Sequence, residues 1–551
     1  MQIWLSLMIA GSTALAASQL VAQEPATTST RPDRKVVGVG QCAICHSSEL
    51  KSGNDKDSKD EFKQLFSVID DEWVLLDEAK TWATKDMHAQ AFTSLLNERS
   101  KQMGEALGVK EIHRDKRCLA CHTGLPLAAM DGESNLISAD LAKDPIVTAG
   151  VSCEGCHGPA GDAHANDGAL VKGWLVPHMI KDSWRFISEA EKFDKFGFTK
   201  IRSVSARTRL CLSCHLGNAA EGKIVTHEMY SKGHPPLPGF ELVTFCNQMP
   251  KHWRDFDQKG SNVRAEFLHR NENKDNVYVS ERFRSDNLHE TNNVLVAALV
   301  AFSENLKLTA ALADEGLPTP VAKSDWPELA QFKCSECHKD TNDRLWRRRR
   351  TLRETVVAPR LRVGPTALVT LAVRQSGADE RGFSNRWLPI EKLLDEQPFG
   401  RRERWIQVTR PLTEWIDDLA LTLERRDLRR EYGLPLLREM AAGHGYTFQK
   451  DYDYESAQQL VWASQVLRRE LITKRSPELV RSFVATLDAD FADLERLFVL
   501  NLIDGRRVDV HGQTVREVDL SRHEAVRAMF KTGEFRSKLD LLARKIAKPA
   551  P

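Results

Sequence analysis

The 551-residue chain has almost no net charge: 78 Lys and Arg stand against 77 Asp and Glu, a formal +1. That balance argues against attraction of the whole molecule to nucleic acid and leaves only local patches for charged contacts. Aromatic residues are scarce, at 7% within a hydrophobic content of 41%. This is a modest apolar supply for a chain long enough to hold two or more domains. Beyond the N-terminus, no apolar run reads as long enough to cross a bilayer. Uncommitted cysteine is nearly absent as well. Of eleven cysteines only Cys246 falls outside a repeated pattern, and it reads as a small buried residue.

The pattern is C-x-x-C-H, and it occurs five times. The copies are Cys42-Ala-Ile-Cys45-His46, Cys118-Leu-Ala-Cys121-His122, Cys153-Glu-Gly-Cys156-His157, Cys211-Leu-Ser-Cys214-His215 and Cys334-Ser-Glu-Cys337-His338. A zinc site needs four ligands but gives no reason for a histidine directly after every second cysteine. A redox dithiol appears once, near a strand–helix pattern, and does not repeat. Five copies of this spacing are the attachment signature of c-type haem: two thiols bond the porphyrin and the histidine ligates the iron. The reading is five covalent haems c, with His46, His122, His157, His215 and His338 as proximal ligands. Their flat apolar faces supplement the thin side-chain supply, so this part of the chain is expected to fold only when loaded.

The first residues, Met1 to Gln23, form an apolar run with small residues near Ala14-Leu15-Ala16 and Leu20-Val21-Ala22. Residues 1–22 read as a secretory signal peptide. The run lacks a Lys or Arg before its apolar core, which leaves an uncleaved N-terminal anchor as the alternative. Export to the periplasm or an equivalent compartment fits c-type haem, which is attached outside the cytoplasmic membrane. Residues 24–345 then read as a pentahaem domain, 346–400 as a basic linker opened by Trp346-Arg347-Arg348-Arg349-Arg350, and 401–551 as a helical C-terminal domain. Asn54–Glu61 reads as a charged loop. Thr291–Asp314 reads as an amphipathic helix. Ser476-Pro477-Glu478 opens a helix through Leu497, and a last helix from Ser521 turns Ala525, Met529, Phe535, Leu539 and Leu542 inward. The fold class is mostly α with extensive coil.

The sixth iron ligand separates an electron carrier from a catalyst, because two histidines saturate the iron and a vacant position admits a small substrate. Four histidines stand out as distal candidates. His88 has small neighbours on a helix, and His164 follows a Gly-Pro-Ala-Gly turn. His227 and His234 flank Met229-Tyr230, with His234 opening a Gly-His-Pro-Pro segment. His113, His178 and His252 form a second group, and Met87, Met179 and Met249 are sulfur alternatives. His269, His289, His444, His511 and His523 read as structural.

The run from Gly38 to Trp253 resembles the cytochrome c-554 family of multihaem cytochromes. The resemblance is carried by Cys118-Leu-Ala-Cys121-His122-Thr123, Gly150-Val-Ser-Cys-Glu-Gly-Cys-His-Gly-Pro159 and Cys211-Leu-Ser-Cys214-His215. Thr226-His227-Glu228-Met229-Tyr230, Gly233-His234-Pro235-Pro236-Leu237 and Met249-Pro250-Lys251-His252-Trp253 also resemble a segment recurring in the wider group. The resemblance implies a helical and coil fold around closely packed haems, with stacked and perpendicular pairs. It implies bis-histidine ligation at most sites and often one five-coordinate haem. It also implies a distal role for the histidine after C-H-G-P, here His164, and for a helical histidine between the first two motifs, here His88. The founding members carry four haems, so Cys334-Cys337-His338 is additional, and the helical C-terminal part has no counterpart.

The expected function is an exported electron carrier working between redox partner proteins. The alternative is a redox enzyme acting on a small nitrogen or sulfur compound at an open haem, as in the related hydroxylamine oxidoreductases. Five haems fall short of that group, and no lysine replaces a motif histidine as in pentahaem nitrite reductases. The spacing of the C-terminal helices does not give their role; a third reading makes them a docking module that would place the carrier beside a membrane complex.

Overall fold

The computed structural model describes residues 34–547 apart from 48–72, 127–129, 131–133, 165–167, 180–183, 272–286, 315–325, 335–359, 365, 444–451, 499–504, 511–512, 519–526 and 528. The signal segment, the charged loop Asn54–Glu61, the Arg347–Arg350 run, and Cys337 with His338 lie outside the described residues. Helices dominate and are joined by much coil, as expected.

Up to His215 the helices are mostly short: Val39–His46, Glu78–Lys85, Glu98–Ala106, Lys116–His122, Cys153–His157 and then Val204–His215. Local side chains start several of them. Asn97 accepts from the Ser100 N–H, Asp115 from Arg117 and Ser203 from Ala206, each satisfying a donor that a helix start leaves open. Gly158, at φ +86°, closes the Cys153–His157 helix. Apolar burial here is divided among small clusters, such as Phe92, Leu95, Leu119 and Ile137 in one, or Ala160, Trp174 and Trp184 in another.

The second half of the chain is organised differently. His289–Ala313 is a single 25-residue helix, roughly 37 Å long at 1.5 Å per residue. It is apolar on every side rather than amphipathic, because Val204–His215, Leu242–Gln248, Thr366–Gln375, Trp405–Glu424 and Tyr454–Leu471 all pack against it. By length and composition it is also apolar enough to cross a membrane, contrary to the sequence reading. Yet 83% of its apolar window is buried inside the protein, which makes it a core helix. Leu295, Leu299, Phe302 and Leu306 are wholly buried in one core that extends through Trp405, Leu467, Phe491 and Phe535.

Two readings of the domain organisation differ. The expected linker 346–400 contains the helices Thr366–Gln375 and Glu380–Glu396, whose Phe383, Trp387, Ile390 and Leu393 enter that core. The region after 401 is not packed as a separate domain, since Val204, Leu212, Leu242 and Val243 from the motif-bearing part belong to the same core. Carboxylates seal this junction. Glu424 accepts from Val204 N–H at 2.7 Å, Ser205 N–H at 3.2 Å and Ser205 Oγ at 2.6 Å, and so caps the helix of motif four. Glu470 does the same for the central helix, accepting from Glu290 N–H at 3.0 Å, Thr291 N–H at 2.9 Å and Thr291 Oγ1 at 2.6 Å.

Smaller differences have local causes. The helix opened by Glu478 breaks into Glu478–Ala485 and Asp488–Glu495, and the Ser476 hydroxyl pairs with Arg430 at 3.1 Å instead of capping. The last helix runs from Thr532 to Ala547 and buries Phe535, Leu539 and Leu542, while Met529 is 67% exposed rather than inward. Ser521 and Ala525 lie outside the described residues. An antiparallel hairpin, Gly505–Val510 against Gln513–Val518, interrupts a region read as purely helical. Its signal was present in the alternating Val508 and Val510, the turn-type pair His511-Gly512 and the β-branched Thr514 and Val515.

Candidate functional site

On a helix, residues i, i+3 and i+4 share one face, so C-x-x-C-H aims both thiols and the imidazole the same way. Motifs one to four obey this geometry. Each lies at the C-terminal end of its helix, and each helix ends on the motif histidine: His46, His122, His157 and His215. All four motifs face one common cavity of about 2410 Å³. Their cysteines also interact across motifs: Cys42 of the first acts on Cys153 of the third, and Cys121 of the second on Cys214 of the fourth.

Glu154, between the cysteines of motif three, ties the first motif to the third. Its buried carboxylate accepts from Val37 N–H at 3.1 Å, Gly38 N–H at 2.7 Å and Ala160 N–H at 2.8 Å, which holds the segment leading into the Val39–His46 helix. A second tie joins motif three to His88. Val151 N–H donates to the His88 carbonyl at 3.0 Å, and Trp82 Nε1 donates to the Val151 carbonyl at 2.9 Å. Gly150 has φ +70°, and a Cβ there would stand 2.7 Å from the His88 carbonyl, so only glycine permits this approach.

The hydrogen bonds of the histidines define their tautomers. His46 Nδ1 meets Glu78 Oε2 at 2.8 Å, and His88 Nδ1 meets Asp86 Oδ1 at 2.9 Å. His122 Nδ1 meets the Ala91 carbonyl at 2.7 Å, His234 Nδ1 the Pro235 carbonyl at 2.7 Å and His252 Nδ1 the Pro250 carbonyl at 3.1 Å. Carbonyls and ionised carboxylates only accept, so Nδ1 carries the proton in each ring. Nε2 is left as the lone-pair nitrogen, the form that binds a metal. Burial disfavours the charged form of His46 and His88, but the carboxylates outweigh it and raise both above the ordinary histidine value. At His157, His178, His215 and His234 burial leads and lowers the value to about 4, so these imidazoles are neutral at pH 7.

The rings also come in pairs. His46 and His178 have centroids 6.0 Å apart with planes at 27°, and His88 and His215 are 6.2 Å apart at 86°. Two imidazoles that bind one metal from opposite sides at about 2 Å each bring their centroids to about 6 Å. Among the remaining cavity histidines, His122 acts electrostatically on His234, and His252, His178 and His46 all act on His157. Covalent haem fits this wall. The lining has the thiol pairs, the opposed imidazoles and an excess of cation, eleven Lys and Arg against five Asp and Glu, suited to the acidic edge of a porphyrin. Among the described residues no three His, Cys, Asp or Glu side chains converge as a bare-ion site.

The sequence candidates divide accordingly. His88 and His234 reach the cavity, as do His178 and His252 from the second group and Met87, Met179 and Met249. His164 does not. It is exposed on the two-residue strand Ala163–His164, with Nδ1 turned to the Gly168 carbonyl at 3.3 Å, because the turn after motif three folds into a small strand pair instead of back over a neighbour. His227 also stays out of the cavity. Its backbone N–H donates to Glu328 at 2.7 Å, close to the segment that leads to Cys334. His113 lies outside the cavity, whereas His289, read as structural, lines it. Cys334 is exposed and away from the cavity. Glu78 and Glu154 were not legible as site residues, since each acts across long sequence separations. Asp86, two residues before His88, was within reach of a local reading.

Residues 76–158 match the family described as cytochrome c554 and c-prime. No curated protein and no solved structure matches the chain. The matched stretch contains His88, motifs two and three, and both carboxylates that back a cavity histidine. Over this segment the chain is similar to the cytochrome c554 and c-prime family, which supports a c-type cytochrome with covalently bound haem.

Proposed function

We propose that the protein is an exported electron carrier that holds five covalent haems and passes electrons between redox partner proteins. The observation that carries this reading is the pairing of cavity histidines, above all His46 with His178 and His88 with His215 at centroid distances near 6 Å. Covalent haem ligated by two histidines supplies one-electron chemistry with little rearrangement of its ligands.

In this reading Cys42 and Cys45, Cys118 and Cys121, Cys153 and Cys156, and Cys211 and Cys214 tether four haems. His46 with His178, His122 with His234, His157 with His252 and His215 with His88 ligate them. Glu78 and Asp86 fix the ring orientation of His46 and His88 and raise the basicity of the ligating nitrogen. The fifth haem rests on the spacing of Cys334, Cys337 and His338. The segment before it is anchored by Lys333 to Asp453 at 2.8 Å and crosses at Phe332 to Leu361. Arg362 beside that crossing holds Glu455 through two 2.9 Å bonds. The C-terminal helices therefore support the haem-bearing part as scaffold, without requiring a docking role. Export rests on the apolar N-terminal segment.

Intact mass of the exported protein should report five covalent haems, and a smaller number would refute the five-site reading. Electron paramagnetic resonance with and without nitric oxide or cyanide tests the carrier role. Low-spin signals untouched by ligand are expected from motifs one to four. A ligand-responsive high-spin haem among them would favour the enzyme reading instead.

A further inference from the structure

One wall of the cavity holds more positive charge than its neighbours balance. Trp73, Arg202, Arg254, Lys259, Arg264 and Phe267 line it together. Lys259 donates to the Trp73 carbonyl at 2.7 Å and lies over its ring at 4.3 Å, with Arg185 4.5 Å from the same ring, and Arg202 lies over Phe267 at 5.8 Å. Burial, followed by Arg202, Arg185 and Arg254, pulls Lys259 down to about 8. Two of the nearby acids are engaged elsewhere: Asp255 pairs with Lys251 and accepts from Trp253 Nε1 at 3.2 Å, and Glu266 holds Arg270 at 3.1 Å. The third, Glu189, faces Arg202 on the wall itself at 3.7 Å. The Nε atoms of Arg254 and Arg264 are buried without a hydrogen-bond partner among the described residues.

A buried guanidinium nitrogen left without an acceptor costs stability, and two of them on one cavity wall call for an anion delivered from inside the cavity. Planar guanidinium forks match carboxylates through two parallel N–H donors. We infer that Arg254 and Arg264 form a carboxylate-binding site that holds the propionate groups of a haem seated in this cavity. Arg254 follows His252 by two residues, and His252 acts electrostatically on His157 of motif three, which assigns the site to that end of the cavity. Lys259 and Arg202 add positive potential around it. This inference rests on the reading of the cavity as a haem site. It adds to that reading two positioning residues that no attachment motif marks.

The test uses the haem-loaded full chain, the Arg254→Gln/Arg264→Gln double variant and the Arg254→Lys/Arg264→Lys double variant. Removing two cations beside a redox centre disfavours its electron-rich form. One haem of the Gln variant should therefore titrate at a lower potential, and the infrared redox-difference bands of ¹³C-labelled haem carboxylates should shift. The Lys variant should recover most of the potential but still shift the carboxylate bands, because lysine lacks the guanidinium fork, and those bands decide the question if the Gln variant fails to load. Unchanged potentials and carboxylate bands in a loaded Gln variant would overturn the inference. So would saturable spectral changes on adding sulfite or phosphate to the wild type that vanish in the variant, because the site would then serve a free oxyanion. A wild-type mass lacking covalent haem would sink the haem reading itself, an outcome separate from either of these.

Discussion

The motif-bearing part and the helical part bury apolar surface in different ways. Apart from the motif-four helix and the segment after it, the first gathers its side chains into small clusters around a cavity of about 2410 Å³. The second fills one continuous core around Phe302, Trp405, Leu467 and Phe535. A region lined by thiols and imidazoles cannot close on itself, and its packing partners are the faces of its cofactors. A region with a filled core needs none. The two meet where Glu424 and Glu470 cap helices across the junction, so the self-sufficient part can act as the frame for the dependent one.

The largest expected effect separates the two by withholding haem. In protein made without haem attachment, amide exchange should lose protection across residues 78–157 while His289–Ala313 and Tyr454–Leu471 stay protected. Uniform protection, or uniform loss, would break the distinction. Next comes Phe302→Ala. Phe302 is wholly buried against Phe383 and Trp387, at ring distances of 5.7 and 5.9 Å. Its loss should cost about 3–5 kcal/mol in a denaturant titration while leaving the haem spectrum of the folded protein unchanged.

Glu424→Ala should cost less, about 1–3 kcal/mol, because it strands buried donors at the start of the motif-four helix. Unlike Phe302→Ala it should also perturb the haem proposed for motif four. Smallest is a pH effect at the junction. Burial pushes Glu455 upward, but Arg362 and Arg527 outweigh it and hold the carboxylate below its ordinary value; Lys333 does the same for Asp453. With folded values depressed, their contribution is present above the unfolded value of about 4 and is lost as pH falls through the folded value. Unfolding midpoints between pH 6 and 3 should decline less in Glu455→Gln than in the wild type, and equal slopes would remove Glu455 from this role.

The two parts also differed in how far they could be read from sequence. C-x-x-C-H is local chemistry, so four motifs could be located residue by residue, and the structure carries each on the last turn of a helix. The second ligands depend on how distant segments meet. His178 carries no signature beyond being a histidine and His252 only the resemblance of its Met249–Trp253 segment, whereas His164, next to a recognisable turn, turns outward. The helices of the C-terminal part were visible through their spacing, yet the apolar central helix was read as one-sided and Thr366–Glu396 as linker. Periodicity reports a helix that faces water on one side and says little about one surrounded by partners.

The central claim is that chain geometry, rather than nearness to an attachment motif, selects the second ligand. Comparing His178→Ala with His164→Ala in the haem-loaded protein by electron paramagnetic resonance tests it most directly. The structure predicts that His178→Ala converts one low-spin haem to high spin and that His164→Ala leaves every signal in place. The reverse result, a new high-spin signal in His164→Ala with His178→Ala unchanged, would contradict the account.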